Sequence, residues 1–139
     1  MTKSDLLMEK ASRALHAAER LLAEGDADFA ASHTYYACFY TAQALLVTRE
    51  LQFSRHGQVI AQYGRHFSKT RILDPRFHKL LDTTFELRQI ADYQVEVPVE
   101  SEAVGELIVE SRQFIVAASE YLEQLQGESS DLGEPVKPE

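Results

Sequence analysis

The sequence predicts an all-α protein, an antiparallel up-and-down bundle of four long helices plus one short helix. Apolar residues recur at intervals of three and four along most of the chain, which is the spacing of helices with one buried face. Capping residues, glycine and proline divide this pattern into five segments joined by short loops, and short loops place consecutive helices antiparallel. A strand-like alternation occurs in QVEVPV, where Pro98 predicts an extended loop instead.

The first two helices are predicted from the N-terminal half. One runs from Ser4 to about Glu24, with leucine and alanine at helical spacing and Gly25 as its C-cap. Asp26 or Asp28 is expected to cap the next, from about Ala27 to Arg49. The middle of this second helix is apolar on nearly every side, so several neighbours, or neighbours and a second subunit, must cover it. It is therefore predicted to be the central helix.

Three further helices follow, each opened by a capping residue. They are predicted from Arg55 to about Phe67 after Ser54, from Asp74-Pro75 to about Tyr93, and from Ser101 to about Leu125. The final residues are poor in apolar side chains and rich in Gly, Ser, Pro and acid, a composition typical of disorder. We therefore expect one helical domain over residues 1–125 and a disordered acidic tail over residues 126–139.

The composition restricts the function classes. Fourteen basic and 22 acidic residues give a formal net charge of −8, which argues against a broad surface for nucleic-acid phosphates. Cys38 is the single cysteine, so no internal disulfide forms and a reducing cytoplasm is expected. It lies in an apolar run, where a small core side chain is expected rather than a nucleophile. The N-terminal MTKSDLLMEK lacks the basic flank and apolar stretch of a signal peptide, and no apolar run is long enough to cross a membrane, so we expect neither element.

Motifs for metals and cofactors are missing from the sequence. The five histidines form no HExxH and no paired His-carboxylate spacing of the usual kind. The glycines form neither a P-loop nor a dinucleotide fingerprint, and no nucleophile elbow occurs. We therefore predict no metal and no cofactor.

The first segment of functional interest is the aromatic run YYACFY on the second helix. Tyr36 and Tyr40 are one helical turn apart, so both project from the same face and can present their hydroxyls to a ligand or a second subunit. The alternative, buried rings with locally bonded hydroxyls, is the commoner arrangement.

The second segment is Ser54-Arg55-His56-Gly57, followed by the basic groups Arg65-His66 and Lys69-Thr70-Arg71. A helix N-terminus beside Arg55 and His56 is a favourable place for a phosphate oxygen. The alternative is that Ser54 only caps the helix, while the basic residues offset the acidic balance of the protein.

The third segment is Arg88-Gln89-Ile90-Ala91-Asp92-Tyr93. Arg88 and Asp92 are four residues apart and can pair on one helix face, a contact that contributes about 0.3–0.5 kcal/mol when exposed. An exposed ion pair is the ordinary interpretation. The functional interpretation depends on position, because the pair closes a long helix beside a loop and Tyr93 adds an aromatic hydroxyl.

Together, YYACFYTAQALL, SRHGQVIAQYGRHF and ELRQIADY, in this order, resemble the HEPN proteins. More narrowly, they are similar to a small single-domain prokaryotic subgroup whose fourth helix ends in Arg-x-x-Ala-Asp-Tyr. The resemblance covers about residues 5–125. It implies an up-and-down helical bundle that pairs as a homodimer. It also implies a partner, a minimal nucleotidyltransferase, often in a toxin-antitoxin pair.

In active HEPN ribonucleases an arginine is followed after four to six residues by a histidine, at a cleft between two subunits. Arg88 matches the arginine, whereas Tyr93 occupies the place of the histidine. A phenol titrates near ~10 and imidazole near ~6.5, so Tyr93 is a poor general base. Val95 stands where some relatives carry a tyrosine that receives a nucleotide. Two other pairs fit the bare spacing and are interpreted as chance matches: Arg49 with His56, and Arg71 with His78.

Three functions are compatible with these residues. The leading hypothesis is a homodimeric binding module in which Arg88 contacts the phosphate of a nucleotide or RNA. Asp92 holds the guanidinium, and Tyr93 and Tyr36 line the same cleft. The competing hypothesis is a metal-independent ribonuclease toxin, with Arg88 stabilising developing charge and His56 or Tyr93 transferring protons. The third is a scaffold whose polar residues serve packing alone.

Overall fold

The computed structural model describes residues 1–133, and this part of the chain is helical with connecting loops and no strand. The helices are α1 (Lys3–Ala23), α2 (Ala27–Val47), α3 (His56–Tyr63), α4 (Arg76–Tyr93) and α5 (Ser101–Gly133). A π-helical turn, Gly64–Ser68, continues α3. The all-α prediction of four long helices plus one short helix is confirmed.

The signals at the helix ends act as predicted in two places and differently in two others. Gly25 has a φ of 92°, the left-handed conformation expected of a C-cap glycine. The Asp74 carboxylate accepts a hydrogen bond from the backbone N–H of Arg76 at 3.0 Å, at the start of α4. Asp26 precedes α2 without a side-chain capping bond. Ser54 does not cap α3. The residue before this helix is Arg55, and the Arg55 side chain makes no capping bond.

The last helix ends later than the sequence predicts. We placed its end near Leu125, and α5 continues to Gly133. Gly127 lies inside the helix, where a glycine costs only about 1 kcal/mol, and the first proline after Ser101 is at position 135. The helix therefore includes the first part of the segment assigned to the acidic tail. Residues 134–139 of that segment lie outside the described part of the chain.

The central helix is α2, as predicted, because it packs against each of the other four helices. Its buried side chains include Tyr35, Cys38, Phe39 and Leu45, which join one core cluster. Cys38 is fully buried, which agrees with its predicted role as a small core side chain. None of the helices within residues 1–133 combines the length and the apolar character needed to cross a membrane.

One narrow strip of α2 reaches solvent. Between residues 30 and 47, the side chains that are not fully packed lie at alternating intervals of three and four residues, along a single line down the helix. We call this strip the outer face of α2; its residues are His33, Tyr36, Tyr40, Gln43 and Val47. The candidate site lies along this face.

Candidate functional site

The Arg88 guanidinium is held between two helices. Its Nε lies 2.7 Å from Asp92 Oδ2, one turn further along α4. Its N–H does not point along that line, so the contact is an ion pair and not a hydrogen bond. Arg88 Nη2 donates a hydrogen bond to the Tyr36 hydroxyl on α2 at 3.1 Å, and Ser32 Oγ donates to Asp92 Oδ1 at 2.6 Å. We call these four residues the Arg88 cluster.

The helical repeat explains why these four side chains meet. Arg88 and Asp92 are four residues apart on α4, and Ser32 and Tyr36 are four apart on α2. Residues at this spacing lie one above the other, so two neighbouring helices bring the two pairs face to face. The Arg88 side chain is only 15% exposed, so its pairing with Asp92 is not the exposed ion pair of the ordinary interpretation.

Tyr36 and Tyr40 form a tyrosine pair on the outer face of α2, as their spacing predicts. Their ring centroids are 6.1 Å apart, with the planes inclined by 24°. The Arg88 guanidinium carbon lies 5.5 Å from the Tyr36 ring centroid, and Lys10 Nζ of α1 lies 4.8 Å from the Tyr40 ring centroid. Each ring therefore has a cation within the range of a favourable cation–π contact.

His56, at the start of α3, joins this region through the aromatic residues of α2. Its Nδ1 lies 2.6 Å from the Tyr35 hydroxyl, and its ring centroid is 6.5 Å from that of Tyr36. Burial, and then the positive charge of Arg88, lower the pKa of the His56 imidazole below its ordinary value. Burial also raises the pKa of the Tyr35 phenol. The phenol therefore stays protonated and the imidazole neutral, and the direction of the hydrogen bond between them depends on which ring nitrogen carries the hydrogen.

The structure brings most of the predicted site residues together and leaves two apart. Arg88, Asp92, Tyr36, Tyr40 and His56 form a continuous set of contacts between α2, α3 and α4. Two residues are exposed and share no hydrogen bond or ring contact with this set within residues 1–133: Tyr93, at 73% exposure, and Arg55.

Three residues of the site were missed in the sequence. Ser32 and Tyr35 are bonded to predicted site residues, and Lys10 contacts Tyr40 from another helix. The four-residue spacing of Ser32 and Tyr36 was a usable signal once Tyr36 had been singled out. Lys10 lies in no motif, because its position beside Tyr40 depends on how α1 packs against α2.

The cluster provides directed hydrogen-bond donors without a net charge, because the Asp92 carboxylate neutralises Arg88. Among residues 1–128, whose side chains the structure describes, the Arg88 Nη1 group has no hydrogen-bond partner, so its N–H groups are available to a ligand acceptor. A planar guanidinium suits phosphate oxygens. No group of three or more His, Cys, Asp or Glu side chains suited to a metal ion occurs in the described residues.

Of the two chance matches, the Arg49 guanidinium lies 5.0 Å from the Phe67 ring, whereas the His56 side chain is hydrogen-bonded to Tyr35. His78 packs beside Gly64 and Tyr63, away from the Arg88 cluster.

Comparison with known proteins places the chain in a family. The model of the HEPN domain matches residues 4–121. A Methanocaldococcus jannaschii protein named "Putative toxin MJ0142" is 33% identical over 116 residues, covering 84% of this chain and 79% of that protein. A "UPF0332 protein" of Thermotoga maritima is 34% identical over 116 residues, covering 84% of this chain and 88% of the relative. The chain belongs to the HEPN family.

A second relative from Methanocaldococcus jannaschii, named "Putative toxin MJ0605", is 30% identical over 119 residues, covering 86% of this chain and 88% of the relative. The family matches the resemblance seen in the three sequence segments. It also agrees with the helical bundle of the structure.

Proposed function

We propose that this protein is a toxin-like HEPN subunit that binds the phosphate of a nucleotide or RNA at the Arg88 cluster. The principal observation is the fixed guanidinium: Asp92 and Tyr36 orient Arg88, and its Nη1 group makes no hydrogen bond to residues 1–128. A donor held in position in this way loses little freedom when it binds an anion. The names of two relatives, both designated putative toxins, support the toxin-like role.

The test compares two arginine variants in equilibrium binding of a labelled RNA and of a mononucleotide. Arg88→Ala is expected to weaken binding of both by about tenfold or more, because a charge-assisted hydrogen bond contributes about 1.5–3 kcal/mol. Arg112→Ala is the matched control, since Arg112 is also paired with a carboxylate, that of Glu19, but lies on α5. Equal binding by wild type and Arg88→Ala would contradict the proposed site.

A metal-independent ribonuclease is the second candidate function, and His56 is the observation that favours it. Burial and the positive charge of Arg88 lower the pKa of the His56 imidazole. His56 is therefore neutral near pH ~7, and a neutral imidazole can accept a proton. Arg88 then supplies the positive charge that stabilises a phosphorane-like transition state. His56 takes the role that Tyr93 cannot fill as an ordinary phenol.

Cleavage of RNA in the presence of a chelator tests this candidate. If the protein is a ribonuclease, His56→Gln and Arg88→Ala each abolish cleavage, whereas His16→Gln, on the exposed face of α1, leaves it intact. RNA that remains uncleaved but bound supports the binding module instead.

We further propose that the protein forms a homodimer and associates with a minimal nucleotidyltransferase as a toxin-antitoxin pair. The support for a second copy is the end of α4 and the loop after it, where Tyr93, Val95 and Val97 expose apolar surface. In such a dimer, Tyr93 of one subunit is expected to lie at the cleft between the copies. Co-purification of the two proteins expressed together tests the nucleotidyltransferase partnership.

A further inference from the structure

The tyrosine pair has a cation beside each ring, contributed by different helices. Arg88 of α4 lies over Tyr36, and Lys10 of α1 lies over Tyr40. The two rings are one turn apart on α2, with their centroids 6.1 Å from each other. Along the outer face of α2, two aromatic rings therefore lie beside two cationic side chains in one row, and one of these, Arg88, is paired with Asp92.

The two cations differ in how strongly they are held. Asp92 neutralises Arg88 and Tyr36 orients it, whereas Lys10 is exposed and forms no ion pair within residues 1–128, where side chains are described. A lysine side chain is flexible, and a cation–π contact at the protein surface is weak. Lys10 can therefore leave the Tyr40 ring at little cost, which uncovers a half-buried aromatic face beside a free positive charge.

We propose that Lys10 and Tyr40 form a second subsite next to the Arg88 cluster, and that the ligand of the whole row is single-stranded RNA of two or more nucleotides. Lys10 contacts a second phosphate, and a base stacks on Tyr40. This inference rests on the proposed function, since it extends the phosphate site at Arg88. The inference also names the substrate class, because a mononucleotide has one base and does not need both cations and both rings of the row.

The choice of a single strand follows from the same side chains. Stacking on an aromatic ring needs an unpaired base, and a base in a duplex is covered on both faces. Duplex binding depends on neutralising many phosphates, which a protein of net charge −8 with two cations in the row does not provide.

The experiment measures the affinity of an unstructured, labelled RNA octamer, of its duplex and of AMP. Lys10→Met is expected to weaken octamer binding by about fivefold and to reduce the dependence of log K on log salt by about one. Tyr40→Leu is expected to weaken it about tenfold, at the lower end of the range for loss of a stacked base. AMP binding is expected to weaken less than octamer binding in both variants, because a mononucleotide cannot occupy both cations of the row. Lys79→Met is the control, because Lys79 is also exposed but lies on α4; this variant is expected to bind as wild type does.

Each failure has a distinct signature. If Lys10→Met and Tyr40→Leu bind the octamer as wild type does while Arg88→Ala does not, the second subsite is wrong and the proposed function stands. If wild type binds the duplex as tightly as the octamer, the assignment to single strands is wrong. If wild type binds neither RNA nor AMP, the proposed function fails and this inference fails with it. Lys10 is exposed, so Lys10→Met preserves the fold and remains informative if Tyr40→Leu does not fold.

Discussion

At the scale of single residues, the imidazole of His56 links the site to the aromatic core. The Tyr35 hydroxyl is bonded to its Nδ1, and its ring centroid lies 4.7 Å from Phe39 and 5.8 Å from Phe85. These contacts restrict the orientation of the ring and reduce its contact with water. Burial is the larger cause of the lowered pKa of His56, and the positive charge of Arg88 is the second, so the imidazole favours its neutral form.

The lowered pKa of His56 makes the stability of the protein depend on pH. Between that lowered pKa and about 6.5, the unfolded chain binds a proton at this position more readily than the folded chain. The free energy of unfolding therefore decreases as the pH falls below about 6.5. His56→Gln is expected to show a smaller decrease between about pH 7.5 and pH 5.5 in urea denaturation.

His16→Gln is the control for this measurement, because the His16 side chain is 72% exposed and lies on α1. It is expected to show the pH dependence of wild type. An identical dependence in wild type and His56→Gln would mean that His56 does not favour the neutral form in the folded protein.

Cys38 is the second residue whose chemistry the structure determines. It is fully buried, and burial raises the pKa of its thiol to about 12. Since the thiolate is the reactive form, iodoacetamide is expected to leave the folded protein unmodified and to modify Cys38 completely in denaturant. Mass spectrometry of the two samples measures this. Rapid modification of the native protein would contradict the packing around Cys38.

Predictability at this scale depends on whether a contact is local in sequence. The pairing of Arg88 with Asp92 and the shared face of Tyr36 and Tyr40 follow from helical spacing, and both are present. The position of Lys10 beside Tyr40 depends on the packing of two helices and had no sequence signal.

At the scale of elements, the caps and the helix ends were the less predictable part. A capping residue is identified by type, but whether its side chain reaches the backbone depends on the loop before it. For this reason Asp74 bonds to the start of α4, whereas Asp26 and Ser54 make no capping bond. The end of α5 was placed too early, since its glycine and polar residues were interpreted as disorder although they are compatible with helix.

The π-helical turn after α3 depends on the small size of Gly64. A Cβ at this position would lie 2.6 Å from Nε2 of His78 on α4, too close without movement of the ring. Gly64→Ala is therefore expected to destabilise the protein by about 1–3 kcal/mol, as overpacking commonly does. Urea denaturation measures the change in the free energy of unfolding.

Two further variants make this prediction specific. Gly57 is in α3 with nothing within 4 Å of an added Cβ, so Gly57→Ala is expected to be neutral or to stabilise by up to about 1 kcal/mol. Removing the His78 ring in a Gly64→Ala/His78→Ala double variant is expected to recover part of the loss relative to His78→Ala alone. Equal stability of Gly64→Ala and Gly57→Ala would contradict the close contact.

At the scale of the whole molecule, the fold was predictable because periodicity alone identifies the helices and their buried faces. The prediction of α2 as the central helix is an example, because a helix with almost no polar face needs neighbours on all sides. A surface for the proposed homodimer was not readable from periodicity. Exposed apolar residues such as Val95 and Val109 do not stand out in the spacing of apolar residues along the sequence, so the sequence did not mark them as a contact surface.

The proposed homodimer gives a prediction at this scale. Val95 is 90% exposed in the loop after α4, so Val95→Glu places a charge on the proposed contact surface and is expected to convert a dimer into a monomer. Val109→Glu is the matched control, because Val109 is 59% exposed on α5, outside that loop. Light scattering coupled to size-exclusion chromatography measures the mass. A monomeric wild type, or a dimeric Val95→Glu, would contradict this surface.

The outer face of α2 has a consequence for how this protein can diversify. Between residues 30 and 47 every side chain outside that strip is packed into the interior, where a change of even one methylene is felt. Substitutions in this stretch are therefore expected to be tolerated mainly at these five positions. Within α2, a change of ligand preference that keeps the fold is thus available only through the same five side chains.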